Sequence, residues 1–245
     1  MLKPIAFAAL AATCLLANGP AEAAPLPEPL AKALDGAEMD TLDGWAFRKT
    51  TLVDAMDEPA VKIVTLWDPS KPEGERCTVV SIDVLGKAKE GAKDEDPCED
   101  GHDREVYGDL RELLADAVIE KVGEDAESIT YRIEPSDEKR GFRMGGLNVN
   151  VDDEDAERLV GTVEVARTGP GAPYVRRASF KLKESAGNLV AKLRKLDVTY
   201  TYGVDEATGA KLMNGMALDM DLSLFTLLNV TTKVITRYDE FRRLE

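Results

Sequence analysis

A single histidine, His102, is all the sequence offers as a base near neutral pH. It sits in an acidic segment with Asp94, Asp96, Glu99, Asp100 and Asp103. No serine lies in a Gly-x-Ser-x-Gly elbow, so a serine triad lacks both its nucleophile turn and a well-placed base. Three cysteines and one histidine are too few for a zinc site with ligands to spare. A calcium loop begun at Asp96 puts Gly101 correctly at the sixth position but leaves Tyr107 where a bidentate glutamate is required. The segment therefore reads as solvated charge, and neither metal nor cofactor is expected. Asp219 and Asp221 alternate with Met and Leu on an outward strand face, which is surface charge and not an acid–base pair. Gly145-Gly146 is a turn signal and not a phosphate cradle. No catalytic constellation remains, and the chain is read as non-enzymatic.

Positive charge is also scarce. Lysine and arginine number 31 against 46 acidic residues, a net charge of −15, which excludes general binding to nucleic acid through its phosphates. Long apolar runs are missing as well. The run Ile5 to Leu16 is broken by Asn18, Gly19 and Pro20, well short of the roughly 18 residues that a membrane span needs. With Lys3 before it and Ala21-Glu22-Ala23 after it, residues 1–23 read as a secretory signal cut near Ala23. Cys14 lies inside that run, preceded by Thr13 and followed by Leu15-Leu16, which is not the pattern of a lipid-modified cysteine. The expected location is the periplasm or the medium. Cys77 and Cys98 remain as a pair, and an exported chain with two cysteines predicts a disulfide between them.

Beyond the signal, residues 24–43 form an N-terminal segment with a short helix over Leu30 to Leu34, and 44–245 form a single antiparallel β domain. Trp45 to Val53, Val61 to Trp67 and Thr78 to Val84 predict three strands separated by polar turns. Val106, Leu110, Leu113, Leu114 and Ala117 recur at helical spacing, which predicts a helix at about 103–121. Strands then resume around Ile129 to Ile133, Leu147 to Val151, Leu159 to Val165 and Val175 to Lys183. Two long strands close the chain around a turn at Thr208-Gly209. The first of them slips phase: Ala191 and Leu193 are odd, whereas Leu196, Val198, Tyr200 and Tyr202 are even, which predicts a β-bulge near Arg194-Lys195.

A sheet with one apolar face must curl or be covered, and few helices are available to cover it. The expected fold is mainly β with few helices (α+β): a strongly curved antiparallel half-barrel with helices in or over its concave face. A closed lipocalin-like barrel is the alternative. The apolar face is drawn from Val198, Tyr200, Tyr202, Met216, Leu218, Met220, Leu222 and Leu224, and methionine suits a face that accepts variable apolar shapes. These residues are the candidate ligand lining.

A charge asymmetry lies under the overall acidity. From Arg176 to Lys195 seven basic residues face only Glu184. Arg177, Lys181, Lys183, Lys192, Arg194 and Lys195 form a candidate docking patch for an anionic membrane surface or an acidic protein. A turn at Ser185 to Asn188 would set Lys181 opposite Ala191 and Arg177 near Lys195, and the Thr208 turn would set Asp219 near Lys195.

The layout resembles the LolA-like family, the periplasmic carriers of outer-membrane lipoproteins, and its relatives in lipoprotein sorting and envelope-stress sensing. The resemblance runs from about Trp45 to Glu245. It is carried by Tyr200-Thr201-Tyr202, the turn at Asp205 to Gly209, Lys211-Leu212 and the ending Tyr238-Asp239-Glu240-Phe241. It implies an open half-barrel with helices in its mouth. It also implies a carrier or binder of lipids or acylated proteins, or an envelope interaction or stress-sensor module of the same fold with no lipid cargo. No family residue is carried over as functional, because the apolar face here is aliphatic and methionine-rich, with 6% aromatics in the chain.

Overall fold

A computed structural model describes residues 25–35, 44–56, 58–85, 98, 110, 114, 117–134, 142–144, 147–149, 159–187, 191–225 and 228–244. The expected signal at 1–23 and the acidic segment around His102, apart from Cys98, lie outside the described residues.

In chain order the elements are helix α1 (Glu28–Asp35) and strands β1 (Trp45–Ala55), β2 (Ala60–Trp67), β3 (Cys77–Leu85), β4 (Val118–Glu124), β5 (Ser128–Glu134), β6 (Phe142–Met144), β7 (Leu147–Val149), β8 (Leu159–Ala166), β9 (Tyr174–Leu182), β10 (Ala186–Gly187), β11 (Ala191–Val204), β12 (Lys211–Leu224) and β13 (Leu228–Arg243). Ten strands form one antiparallel sheet in the order β3-β2-β1-β13-β12-β11-β9-β8-β5-β4, with β10 added beside β11. The end strands β3 and β4 do not meet, so the sheet is an open half-barrel and not a closed barrel. The strand expected at Leu147 to Val151 is found at Leu147–Val149, but it pairs with β6 in a separate two-stranded sheet.

The alternation of each strand explains its place. In β5, Ile129, Tyr131 and Ile133 are buried while Arg132 between them is exposed. In β9, Ala178 and Phe180 are buried and Arg177 and Lys181 are exposed. Period-two patterning of this kind puts one face of the sheet in the core and the other in water. The bulge expected near Arg194-Lys195 is present as a register shift between Leu193 and Lys195, and it brings both halves of β11 onto the same face.

Helix α1 is too short to be stable by itself. It is held because Leu30, Ala33 and Leu34, on one face, are fully buried in the core shared with β8 and β9. On its solvent side Lys32 and Glu28, one turn apart, pair at 2.7 Å. Leu110 and Leu114, two helical positions within the helix expected over 103–121, are also fully buried in that core. That helix does not reach 121, because β4 begins at Val118. Val118, Ile119 and Val122 favour strand, and β4 folds back on β5 in a hairpin that captures them. Its turn is closed by the Asp125 carboxylate, whose Oδ1 accepts the backbone N–H groups of Glu127 at 2.8 Å and Ser128 at 2.7 Å.

At one end of the core the aromatics gather. Phe47 lies edge-on to Tyr238 at 5.7 Å between ring centroids and 6.5 Å from Trp67. Trp67 is the register partner of Cys77, and Cys77 is disulfide-bonded to Cys98 with 5.7 Å between their Cα atoms. The bond expected from the sequence is thus present and ties the start of the edge strand β3 to the segment that follows it.

Two outcomes follow from these closures. Replacing both Cys77 and Cys98 by serine releases a loop of 21 residues and lowers unfolding free energy by about 3 kcal/mol in the chain-entropy model, measurable by urea titration. The hydrogen bonds from Ser128 and Glu127 hold the Asp125 carboxyl below its ordinary pKa. Its stabilising effect is therefore present above the ordinary carboxylate pKa and lost as pH falls through the lowered one. Asp125→Asn is expected to be less stable than wild type at pH 7 and equal to it at strongly acid pH in the same titration.

Candidate functional site

Strand register assembles the inner face one row at a time. One row crosses all ten strands: Val84, Val61, Val53, Val234, Leu218, Val198, Phe180, Gly161, Ile133 and Ile119. Every member is apolar or glycine. Gly161 is required because the Phe180 ring lies over it; a Cβ there would stand 2.6 Å from Cε1 of that ring. The neighbouring row runs Ile82, Ile63, Thr51, Thr236, Met216, Tyr200, Ala178, Val163 and Tyr131.

Burial is unequal along these rows. From Leu218 through Val198 and Phe180 to Ile133 every side chain is buried, in the core completed by α1, Leu110 and Leu114. Towards β3 the face opens. Val234, Val53, Val61 and Ile63 are half-buried, and Val79, Ile82 and Val84 are 37%, 51% and 45% exposed. One sheet face thus has a closed half and a more open half, the latter apolar along the first row and interrupted by Thr51 and Thr236 in the second.

The eight residues expected to line a ligand divide between the two. Val198, Tyr200, Tyr202 and Leu218 are buried in the closed core, whereas Met216, Met220, Leu222 and Leu224 are half-buried. The open apolar residues of β2 and β3 were not among those expected. Their signal was available: β3 has one charged residue, Asp83, in nine positions of a chain that is 31% charged. A hollow of about 430 Å³ lies on the other, outer face, lined among others by Thr199, Thr201, Ala217, Ile235 and Arg237. Among the described residues its lining carries no carboxylate, thiol or imidazole.

The outer face also carries the expected basic patch. Arg177, Lys181, Lys183, Lys192, Arg194 and Lys195 are all exposed. Their neighbours differ from expectation, because Ala186 and Gly187, inside the turn expected at Ser185 to Asn188, still pair with Leu193 and Lys192. Lys181 consequently faces Asp197 in place of Ala191, and Arg177 faces Thr201 in place of Lys195. Asp219 does reach Lys195, at 2.6 Å, and that hydrogen bond raises the Lys195 pKa. Lys183 pairs with Glu134 at 3.2 Å. The stripe is therefore interleaved with carboxylates over most of its length.

The division of the inner face is measurable as stability. Gly161→Ala pushes the Phe180 ring out of a closed core and is expected to cost about 1–3 kcal/mol. Ile82→Gln, on the open half, is expected to stay within about 0.5 kcal/mol of wild type. Equal losses by urea titration would contradict the division.

No protein-family model and no curated protein matches the chain. Among solved structures it is similar to a LolA superfamily protein from Nitrosomonas europaea, at 13% identity over 89% of this chain and 92% of that one, with a TM-score of 0.37. This is a weak resemblance at the level of the fold, and it carries no statement about ligand or mechanism.

Proposed function

We propose that the chain is an exported, non-enzymatic carrier that holds the acyl chain of a lipid or of an acylated protein against the open half of its inner face. The observation that carries this reading is the continuity of the rows: the side chains that form the closed core run on, in register, through half-buried Val53, Val61 and Ile63 to Ile82 and Val84, which are open to solvent. Contiguous exposed apolar surface of that kind marks a binding face. Each methylene laid on it contributes about 0.8 kcal/mol when fully buried. Half-buried Met216 and Met220 border it, and their flexible thioether side chains suit acyl chains of differing length. In this reading a helix over the concave face closes one half while cargo takes the other. Export to the periplasm or medium fits the signal-like residues 1–23 and the Cys77–Cys98 disulfide.

The dense packing around Tyr200 and Phe180 favours a second reading, an envelope interaction module with a filled interior. Titration with a fluorescent fatty acid separates the two. The carrier reading expects saturable binding that weakens roughly fivefold or more in Ile82→Gln/Val84→Gln, the equivalent of about 1 kcal/mol, with Leu66→Gln on the outer face unchanged. Absence of binding by the wild type would favour the interaction module.

A further inference from the structure

The hairpin that joins β12 to β13 ends in apolar side chains that the core does not use. Phe225 is 65% exposed and Leu228 is 55% exposed, and Leu224 beside them is half-buried and is the register partner of Leu228. Packing does not account for Phe225, and neither does conformation. Its φ is +50°, in the left-handed region where glycine is favoured and a bulky side chain is strained. An aromatic ring held in solvent at a turn position suited to glycine is a feature that folding alone does not select.

The register shows what surrounds it. The three rows nearest the tip are Leu228, Leu224 and Ala191; Asn229, Ser223, Lys192 and Gly187; and Val230, Leu222, Leu193 and Ala186. Lys192 is the sole charged residue in them. Arg194, the bulged residue of β11, reaches the same end, where Nη2 donates to Ser223 Oγ at 3.3 Å. The first carboxylate towards the tip on β12 is Asp221, one row further in, and Asp219 beyond it is taken by Lys195. In a chain of net charge −15, the described residues of these three rows and the bulge beside them supply two cations and no carboxylate, with an exposed phenyl ring at their point. The β1–β2 turn with exposed Glu58 lies on the other side of β13, where the Met56 N–H donates to the Thr231 carbonyl.

From this we infer that the β12–β13 hairpin tip is a membrane-docking device: Phe225 and Leu228 enter the interfacial region of an anionic bilayer, and Lys192 and Arg194 meet the lipid phosphates around them. Aromatic and aliphatic side chains gain free energy on entering the headgroup–acyl boundary, and neighbouring cations add attraction to anionic lipid that salt screens. The acidity of the remaining chain opposes any other face-on approach and so sets the orientation, with the tip towards the membrane. The inference stands apart from the acyl-binding reading, because the tip residues are not those of the open half at β2 and β3.

Vesicle co-sedimentation tests it, with phosphatidylglycerol–phosphatidylcholine vesicles against phosphatidylcholine alone, at low and at physiological salt. Wild type is expected to sediment with the anionic vesicles, less so at physiological salt and least with phosphatidylcholine. Phe225→Gly, which also relieves the strained φ, is expected to lower the partition coefficient roughly tenfold while thermal stability is kept or raised. Lys192→Gln/Arg194→Gln is expected to remove the preference for anionic lipid. Ile82→Gln/Val84→Gln should sediment as wild type does. No sedimentation of the wild type would overturn the inference, as would equal sedimentation of wild type and Phe225→Gly. Loss in Ile82→Gln/Val84→Gln with retention in Phe225→Gly would also overturn it, by assigning the lipid contact to the inner face.

Discussion

Ten antiparallel strands that share one apolar face present more surface than short helices can cover, and that constraint governs the molecule. The row from Val84 to Ile119 is apolar or glycine at every strand, so along that row every strand has the same demand for burial. What meets the demand is local. Leu30, Ala33 and Leu34 of α1, with Leu110 and Leu114, bury the β11–β9–β8–β5 portion. Each fully buried leucine contributes about 1.5–3 kcal/mol, enough to hold a helix of eight residues that would not persist in water alone. The β3 side has the same chemistry with less cover. The strands beneath that open half are held by pairing to the closed half and, at the start of β3, by the Cys77–Cys98 bond.

The two sheet edges are treated differently. β4 carries Glu120, Lys121 and Glu124 and a register shift between Lys121 and Gly123, features that discourage pairing with another chain. β3 has Asp83 alone, with a register shift beside Val80, and its start is held by the disulfide. The outer face is organised by charge. Asp54, Lys233, Asp219, Asp197 and Lys181 occupy successive strands in one row. This row spreads the basic residues of β9 and β11 among carboxylates and leaves the tip near Lys192 and Arg194 as the place where cations stand apart from them.

Much of this could be read from the residues. The even-numbered Leu196 to Tyr202 against the odd-numbered Ala191 and Leu193 required a bulge, and alternation alone located it. The cysteine pair, with the expected export of the chain, pointed to the disulfide. Periodicity misplaced the end of the helix expected at about 103–121: the helical spacing stops at Ala117, and from Val118 the β-branched residues Val118, Ile119 and Val122 favour strand and pair with β5. The β9–β11 register was misread because Ser185 to Asn188 has turn composition while Ala186 and Gly187 still pair with β11. A shift of the reversal point moves every partner, which changed the neighbours of Lys181 and Arg177. The open half was missed for a different reason. Val61, Ile63, Ile82 and Val84 look the same in sequence whether a helix covers them or not, since cover is a tertiary property.

If acyl cargo completes the half-closed apolar face, as proposed, that cargo travels with the protein through a mild purification. Native mass spectrometry of the full-length gene product, purified from cell extract without detergent, reads that occupancy. The expected spectrum contains species heavier than the bare chain that release acyl lipids or acylated peptide on activation, with occupancy reduced in Ile82→Gln/Val84→Gln. A spectrum of bare chain alone, from protein that is folded and disulfide-bonded, would contradict that proposal.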